Sequence, residues 1–68
     1  MLNEERRRLI LAELGREGRV LVADLARRFR TSQVTIRKDL DALHGTGRLH
    51  RTHGGGLPAQ ASALEMSA

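Results

Sequence analysis

The stretch Thr31-Ser32-Gln33-Val34-Thr35-Ile36-Arg37-Lys38-Asp39-Leu40-Asp41-Ala42-Leu43 decides how this chain folds. Ser32 is a good N-cap, because its side-chain oxygen can accept from the free backbone N–H groups of a first helical turn. Ile36, Leu40 and Leu43 recur at i, i+4 and i+7, which is one apolar stripe along a helix. At about 100° per residue, with Ile36 as the origin, Leu40 and Leu43 lie within roughly 40° of it. Val34 and Lys38 lie roughly 160° away, Asp41 roughly 140°, and Arg37 and Thr35 roughly 100° to either side. The helix therefore buries three aliphatics and turns Val34, Thr35, Arg37 and Lys38 outward. Two cations, a hydroxyl and one methyl-bearing residue suit the acceptors and thymine methyls of a DNA major groove. A plain solvated face would look the same on this helix alone, so the rest of the chain has to choose.

Upstream, Val22, Leu25, Ala26 and Phe29 fall at i, i+3, i+4 and i+7, predicting a second helix over about residues 22–29. Leu21 stands where Ser or Thr would cap it, a loss of about 1 kcal/mol. Only Arg30-Thr31 separates Phe29 from Ser32, so the two helices must cross steeply as a helix-turn-helix. Ala26 is small enough to let them approach. Further upstream, Asn3 is a candidate cap, and Glu4 and Glu5 favour the positive end of a helix dipole. Ile10, Leu11 and Leu14 form its inner face, and Gly15 and Gly18 offer stops, so a first helix is expected over about residues 4–16. Arg19-Val20-Leu21 reads as a minimal strand.

Downstream, Gly45-Thr46-Gly47 breaks the helical pattern. Leu49-His50-Arg51-Thr52 reads as a strand, with Leu49 and the stem of Arg51 inward. It runs into His53-Gly54-Gly55-Gly56, which reads either as a β-wing whose tip approaches phosphates or as a flexible linker. From Leu57 the chain is rich in Ala and Ser without periodicity, as in a tail or interdomain linker. The expected organisation is one domain over residues 1–56 and a flexible segment over 57–68. The expected fold is mainly α with a small β-wing: a three-helix winged helix-turn-helix. Its core would be Ile10, Leu14, Leu25, Phe29, Ile36, Leu40 and Leu43, with a two-stranded wing.

Composition narrows the function. Sixty-eight residues hold one small core and no cysteine, which excludes a disulfide framework and a thiolate metal site. His44, His50 and His53 match no familiar zinc spacing, so neither a metal nor another cofactor is expected. There is no apolar run of transmembrane length and no signal-peptide pattern, hence a cytoplasmic expectation. The net charge of +4 is unevenly spread. Residues 1–26 balance to zero, whereas residues 27–56 carry seven cations against Asp39 and Asp41. Positive charge thus gathers around the 31–43 helix, as a polyanion-binding surface requires. Eleven of the twelve cations are Arg, whose planar fork suits phosphate and guanine edges. One aromatic, Phe29, cannot make the stacking platform of a single-strand binder. Nor can so short a chain enclose a pocket where acid, base and nucleophile converge, so an enzyme is not expected.

With its helices placed, the chain closely resembles the N-terminal winged helix-turn-helix of the DeoR family of bacterial transcriptional regulators. The likeness lies in Arg6, Ile10 and Leu14, then Ser32-Gln33-Val34-Thr35-Ile36-Arg37-Lys38-Asp39-Leu40, in order and spacing, with His53-Gly54-Gly55 after the wing strand. It implies a repressor-type regulator that binds operator DNA. It also implies homo-oligomerisation and a sugar-phosphate-type effector acting through a C-terminal domain lying beyond this chain. The alternative is a winged helix used for protein–protein contact or for duplex RNA. Three departures stand out. The turn holds Arg30 and Thr31 where the family has Gly and an aliphatic, Leu21 replaces a capping residue, and Arg48 replaces an apolar wing residue. A left-handed Arg30 would cost on the order of 1 kcal/mol.

The candidate DNA-binding residues are Ser32, Gln33, Val34, Thr35, Arg37, Lys38, Arg51, His53 and Gly54. Ser32 and Thr35 can hydrogen-bond phosphate at the helix N-terminus, although Ser32 serves first as a cap. Gln33 can reach adenine bidentately and Val34 a thymine methyl, while Arg37 and Lys38 suit guanine or phosphate. Arg51 is expected to hold phosphate from the wing, and His53 to shape the wing. Asp39, beside the buried stripe, is expected to be structural and to pair with an Arg of the second helix.

Overall fold

The computed structural model describes residues 1–59. Its elements, in chain order, are α1 (Asn3–Glu17), β1 (Val20–Leu21), α2 (Val22–Arg28), α3 (Gln33–Gly45), β2 (Leu49–Thr52) and β3 (Gly55–Pro58). Three helices and a small antiparallel sheet make a winged helix-turn-helix.

Each helix ends for a local reason. At the close of α1, Gly18 turns left-handed at φ 82° and its N–H bonds the Leu14 carbonyl at 2.8 Å. Between α2 and α3, the Thr31 N–H reaches the Ala26 carbonyl at 3.0 Å and the Arg30 N–H reaches Arg27 at 3.3 Å. That bond pair is a Schellman cap, whose penultimate residue must be left-handed. Arg30 takes that role at φ 53°. The end of α3 repeats the device with Arg48 bonded to Leu43 at 2.9 Å and Gly47 to His44 at 3.0 Å. Here the left-handed residue is Gly47, at φ 76°.

The N-termini differ from one another. Ser32 caps α3, its Oγ accepting from the Thr35 N–H at 3.1 Å. Leu21 gives α2 no side-chain cap, as its apolar side chain dictates. A long-range bond compensates: the Val22 N–H donates to the Gly54 carbonyl at 2.9 Å. Asn3 does not cap α1; Leu2 occupies that position without a side-chain bond. The Asn3 Oδ1 instead accepts from Arg6 Nη2 at 2.8 Å, since a buried guanidinium needs acceptors more than an exposed helix end does.

The sheet order is β1-β3-β2, with β3 in the middle. Val20 pairs with Gly56 and Leu21 with Gly55 on one side, while Arg51 pairs with Gly56 and Thr52 with Gly55 on the other. The sheet therefore has three strands where two were expected, because β1 finds an open edge on the returning hairpin. Gly55 and Gly56 are accordingly buried strand residues, not linker or tip. A Cβ on Gly55 would lie 2.1 Å from the Val20 carbonyl oxygen, so only glycine lets β1 close on β3. The loop is His53-Gly54, with Gly54 at φ 82°. Leu57 and Pro58 belong to β3, so a domain edge at residue 56 runs through the middle of a strand. The rest of the expected tail, from Gln60, lies outside the described residues.

The core is Ile10, Leu14, Val20, Val22, Leu25, Ala26, Ile36, Leu40, Leu43 and Leu49. Phe29, expected inside it, is half-buried and packs against its edge, as Leu11 also does. Its place as C-cap of α2, where the chain already turns away, keeps the ring from the centre.

Candidate nucleic-acid interface

The N-terminal half of α3 presents the expected residues together. Ser32, Gln33, Val34, Arg37 and Lys38 are exposed, and Thr35 is half-exposed. Val34 is 56% exposed, because it faces away from the buried Ile36 stripe. Ser32 Oγ donates to Thr35 Oγ1 at 3.0 Å. Arg37 Nη2 donates to Gln33 Oε1 at 3.2 Å, one turn apart on the same face. This pairing holds two long polar side chains parallel, with the Gln33 amide N–H groups left to donate elsewhere.

The opposite edge of α3 is anchored to α1. Asp39 is 1% exposed and Arg6 6%. Arg6 Nε donates to Asp39 Oδ2, and Arg6 Nη2 donates to Oδ1 at 3.0 Å. Arg7 Nε adds a third bond to Oδ1 at 3.0 Å. Asp39 is thus structural as expected, but its partners come from α1 and not from α2. The cations of α2 are occupied elsewhere, Arg27 with Asp24 at 2.7 Å and Arg28 with Glu13. The bond to Asp39 raises the Arg6 guanidinium above its ordinary range, against the lowering effect of burial. A fork meeting a carboxylate on two oxygens fixes orientation as well as distance. The pair therefore ties α3 to α1 through a buried contact.

The wing comes forward beside α3. His53 and Gly54 are exposed at its tip. The Gly54 carbonyl is held by Val22, so the tip is tied back to the start of α2. Arg51 does not stand free. Its Nε donates to Asp41 Oδ1 at 2.8 Å, and its Nη1 to the Thr52 and Gly55 carbonyls at 2.8 and 2.9 Å. Asp41 was missing from the expected site; the signal was present, a carboxylate on the cationic face of the helix, ten residues before a wing arginine. Arg30 and Arg48 are also exposed and extend the basic surface.

Among the described residues, no group of three or more His, Asp or Glu side chains is placed to hold a metal ion. No described helix is long and apolar enough to cross a membrane. The groove between α1 and α2 is lined by Glu13, Arg16, Glu17, Asp24, Arg27 and Arg28 around Leu21. Its three carboxylates are each held in ion pairs with Arg16, Arg27 or Arg28, and Arg19, which also lines the groove, makes no ion pair among the described residues.

Comparison with known proteins agrees with this geometry. Residues 6–60 match the DeoR-like helix-turn-helix domain. The chain is 45% identical over 49 residues to the L-fucose operon activator of Haemophilus influenzae, covering 72% of this chain and 20% of that protein. It is 38% identical over 55 residues to the lactose phosphotransferase system repressor of Streptococcus mutans, covering 81% of this chain and 22% of that protein. The chain thus spans about a fifth of the length of these curated relatives. No solved structure matches it significantly. The match begins at Arg6, within α1, and takes in all later elements to the end of the wing, and the chain belongs to the DeoR-like helix-turn-helix family, DNA-binding domains of transcription regulators and not enzymes.

Proposed function

We propose that this domain binds operator duplex sequence-specifically, with the first turns of α3 in the major groove and the wing along the backbone. The observation that carries the reading is the joint exposure of Gln33, Val34, Arg37 and Lys38 on one face of α3, together with an exposed His53-Gly54 wing tip. Gln33 and Val34 match an adenine edge and a thymine methyl, and Arg37 and Lys38 match guanine or phosphate. Ser32 and Thr35 lie at a helix N-terminus, where free N–H groups and the dipole favour a phosphate. On the wing, the exposed His53 and Gly54 complete the DNA-facing set, with Arg51 behind them bonded inward to Asp41 and to the Thr52 and Gly55 carbonyls. The basic half of the sequence supplies the long-range attraction.

We read the domain as part of a homo-oligomeric, repressor-type regulator of sugar-utilisation genes. The support is the naming of one relative as a repressor of a lactose phosphotransferase system and of another as an activator of an L-fucose operon. A sugar-phosphate-type effector would act through a further domain of such a regulator.

The test is selection of duplexes from a random-sequence pool on the purified chain, followed by binding across a salt series. A recovered consensus is expected, with log affinity falling linearly in log salt by about 0.9 for each phosphate neutralised. Recovery of no consensus, or equal affinity for a duplex RNA of the same sequence, overturns the reading.

A further inference from the structure

Asp41 lies on the outward face of α3, one turn beyond Arg37 and Lys38. A carboxylate in that place repels the phosphates its neighbours attract. It has no part in the core, since its side chain is 66% exposed. Its bond is to Arg51, whose Nε donates to Asp41 Oδ1 at 2.8 Å. The same guanidinium donates from Nη1 to Thr52 O at 2.8 Å and to Gly55 O at 2.9 Å. Thr52 and Gly55 face each other across the hairpin, immediately below the His53-Gly54 tip. One half-buried side chain therefore ties α3 to both strands of the wing. The backbone adds a second tie, because the Arg51 N–H donates to His44 Nδ1 at 3.2 Å.

We infer that Asp41 and Arg51 form a strut that sets the wing tip at a fixed distance from the reading face of α3. Both are positioning residues for DNA binding, and Arg51 is not itself a phosphate ligand. The inference rests on the DNA-binding reading above. The geometry carries it in two ways. Three donor contacts of the guanidinium are already satisfied inside the domain, and moving out to a phosphate would break a charge-assisted bond and free two carbonyls. The strut also accounts for a carboxylate on a face that otherwise gathers positive charge. A lysine at position 51 has no planar fork and could not hold the carboxylate and the two carbonyls together.

The experiment compares the chain with its Asp41→Ala, Asp41→Asn, Arg51→Ala and Arg51→Lys variants on two duplexes, one selected on the wild-type chain and one of random sequence. Simple charge removal at Asp41 tightens binding to any DNA. The strut predicts the opposite sign on the selected duplex, a weakening of roughly threefold to tenfold for both Asp41 variants, the size of one partly exposed charge-assisted bond. Random-sequence binding stays level or tightens. Arg51→Lys behaves like Arg51→Ala on the selected duplex, and neither changes the logarithmic salt slope. Tighter binding of Asp41→Ala to both duplexes, or a slope shallower by about one in Arg51→Ala, overturns the strut. Residual dipolar couplings of the wing amides relative to α3, measured without DNA, provide a second readout. A reoriented hairpin in Asp41→Asn supports the strut and an unchanged one overturns it. If the wild-type chain selects no duplex, the functional reading fails while the couplings still decide the strut.

Discussion

Arg6 and Asp39, 33 residues apart in sequence, meet as a buried fork-to-carboxylate pair that joins the first helix to the third. A buried pair of this kind contributes less than its geometry implies, because both ions lose water. Breaking it is different. The remaining charge stays buried without a partner, at a cost of about 3–5 kcal/mol.

Arg6→Ala should therefore destabilise the domain by about 3 kcal/mol or more, a large share of the total for a fold of this size. Arg7→Ala should cost only about 1 kcal/mol, since Arg7 gives Asp39 a single, more exposed bond. The double change Arg6→Met with Asp39→Leu should recover most of the loss. Urea unfolding followed by circular dichroism measures all three. Equal costs for the two arginines would show that the fork has no special role.

Arg30→Gly should raise the melting temperature. The left-handed residue of the α2 cap is Arg30, whereas the matching cap of α3 uses Gly47. Relief of that strain is worth about 1 kcal/mol, or roughly 4–8 °C in a domain of this length. The reciprocal change Gly47→Ala should lower stability by a similar amount, as nothing within 4 Å of it offers compensation. A loss of stability in Arg30→Gly would mean that the Arg30 side chain holds a contact worth more than its backbone strain.

Two glycine substitutions should move in opposite directions. Gly55→Ala drives a methyl into the Val20 carbonyl and separates β1 from β3, at an expected cost above about 3 kcal/mol. Gly15→Ala lies inside α1 with nothing within 4 Å of the new methyl. There the gain in helix propensity should stabilise by about 0.5–1 kcal/mol. Thermal scans of both variants suffice, and a mild Gly55→Ala would show that the wing does not depend on β1.

Reading and holding should separate on α3. Val34→Ala is expected to relax preference at a single base pair by about 1 kcal/mol, the low end for a groove contact. Lys38→Ala should weaken a selected duplex more than random DNA if its ammonium meets a base, and both alike if it meets phosphate. Competition assays on point-substituted duplexes distinguish these. Unchanged preference in both variants would move the reading role off this face of the helix.

What the sequence determined by itself is the part of the domain set by local chemistry. The apolar stripes of α2 and α3, the serine cap, the two-residue turn and the outward face of Val34 and Lys38 each depend on residues within one or two helical turns. Their geometry follows from helical period alone, and the structure places them accordingly. The tertiary structure decided the rest. Asp39 could be recognised as structural, but its partner depends on which helix lies against α3, and no periodicity specifies that. A two-residue strand has no period to read, so the entry of β1 into the sheet, and with it the need for Gly55, emerges only when the hairpin folds back. In the sequence Asp41 has no assigned role, and Arg51 reads as a wing cation that holds phosphate. Only the closure of the wing against α3 brings them within 2.8 Å, because an exposed ion pair is specified by the elements that carry it and not by its spacing along the chain.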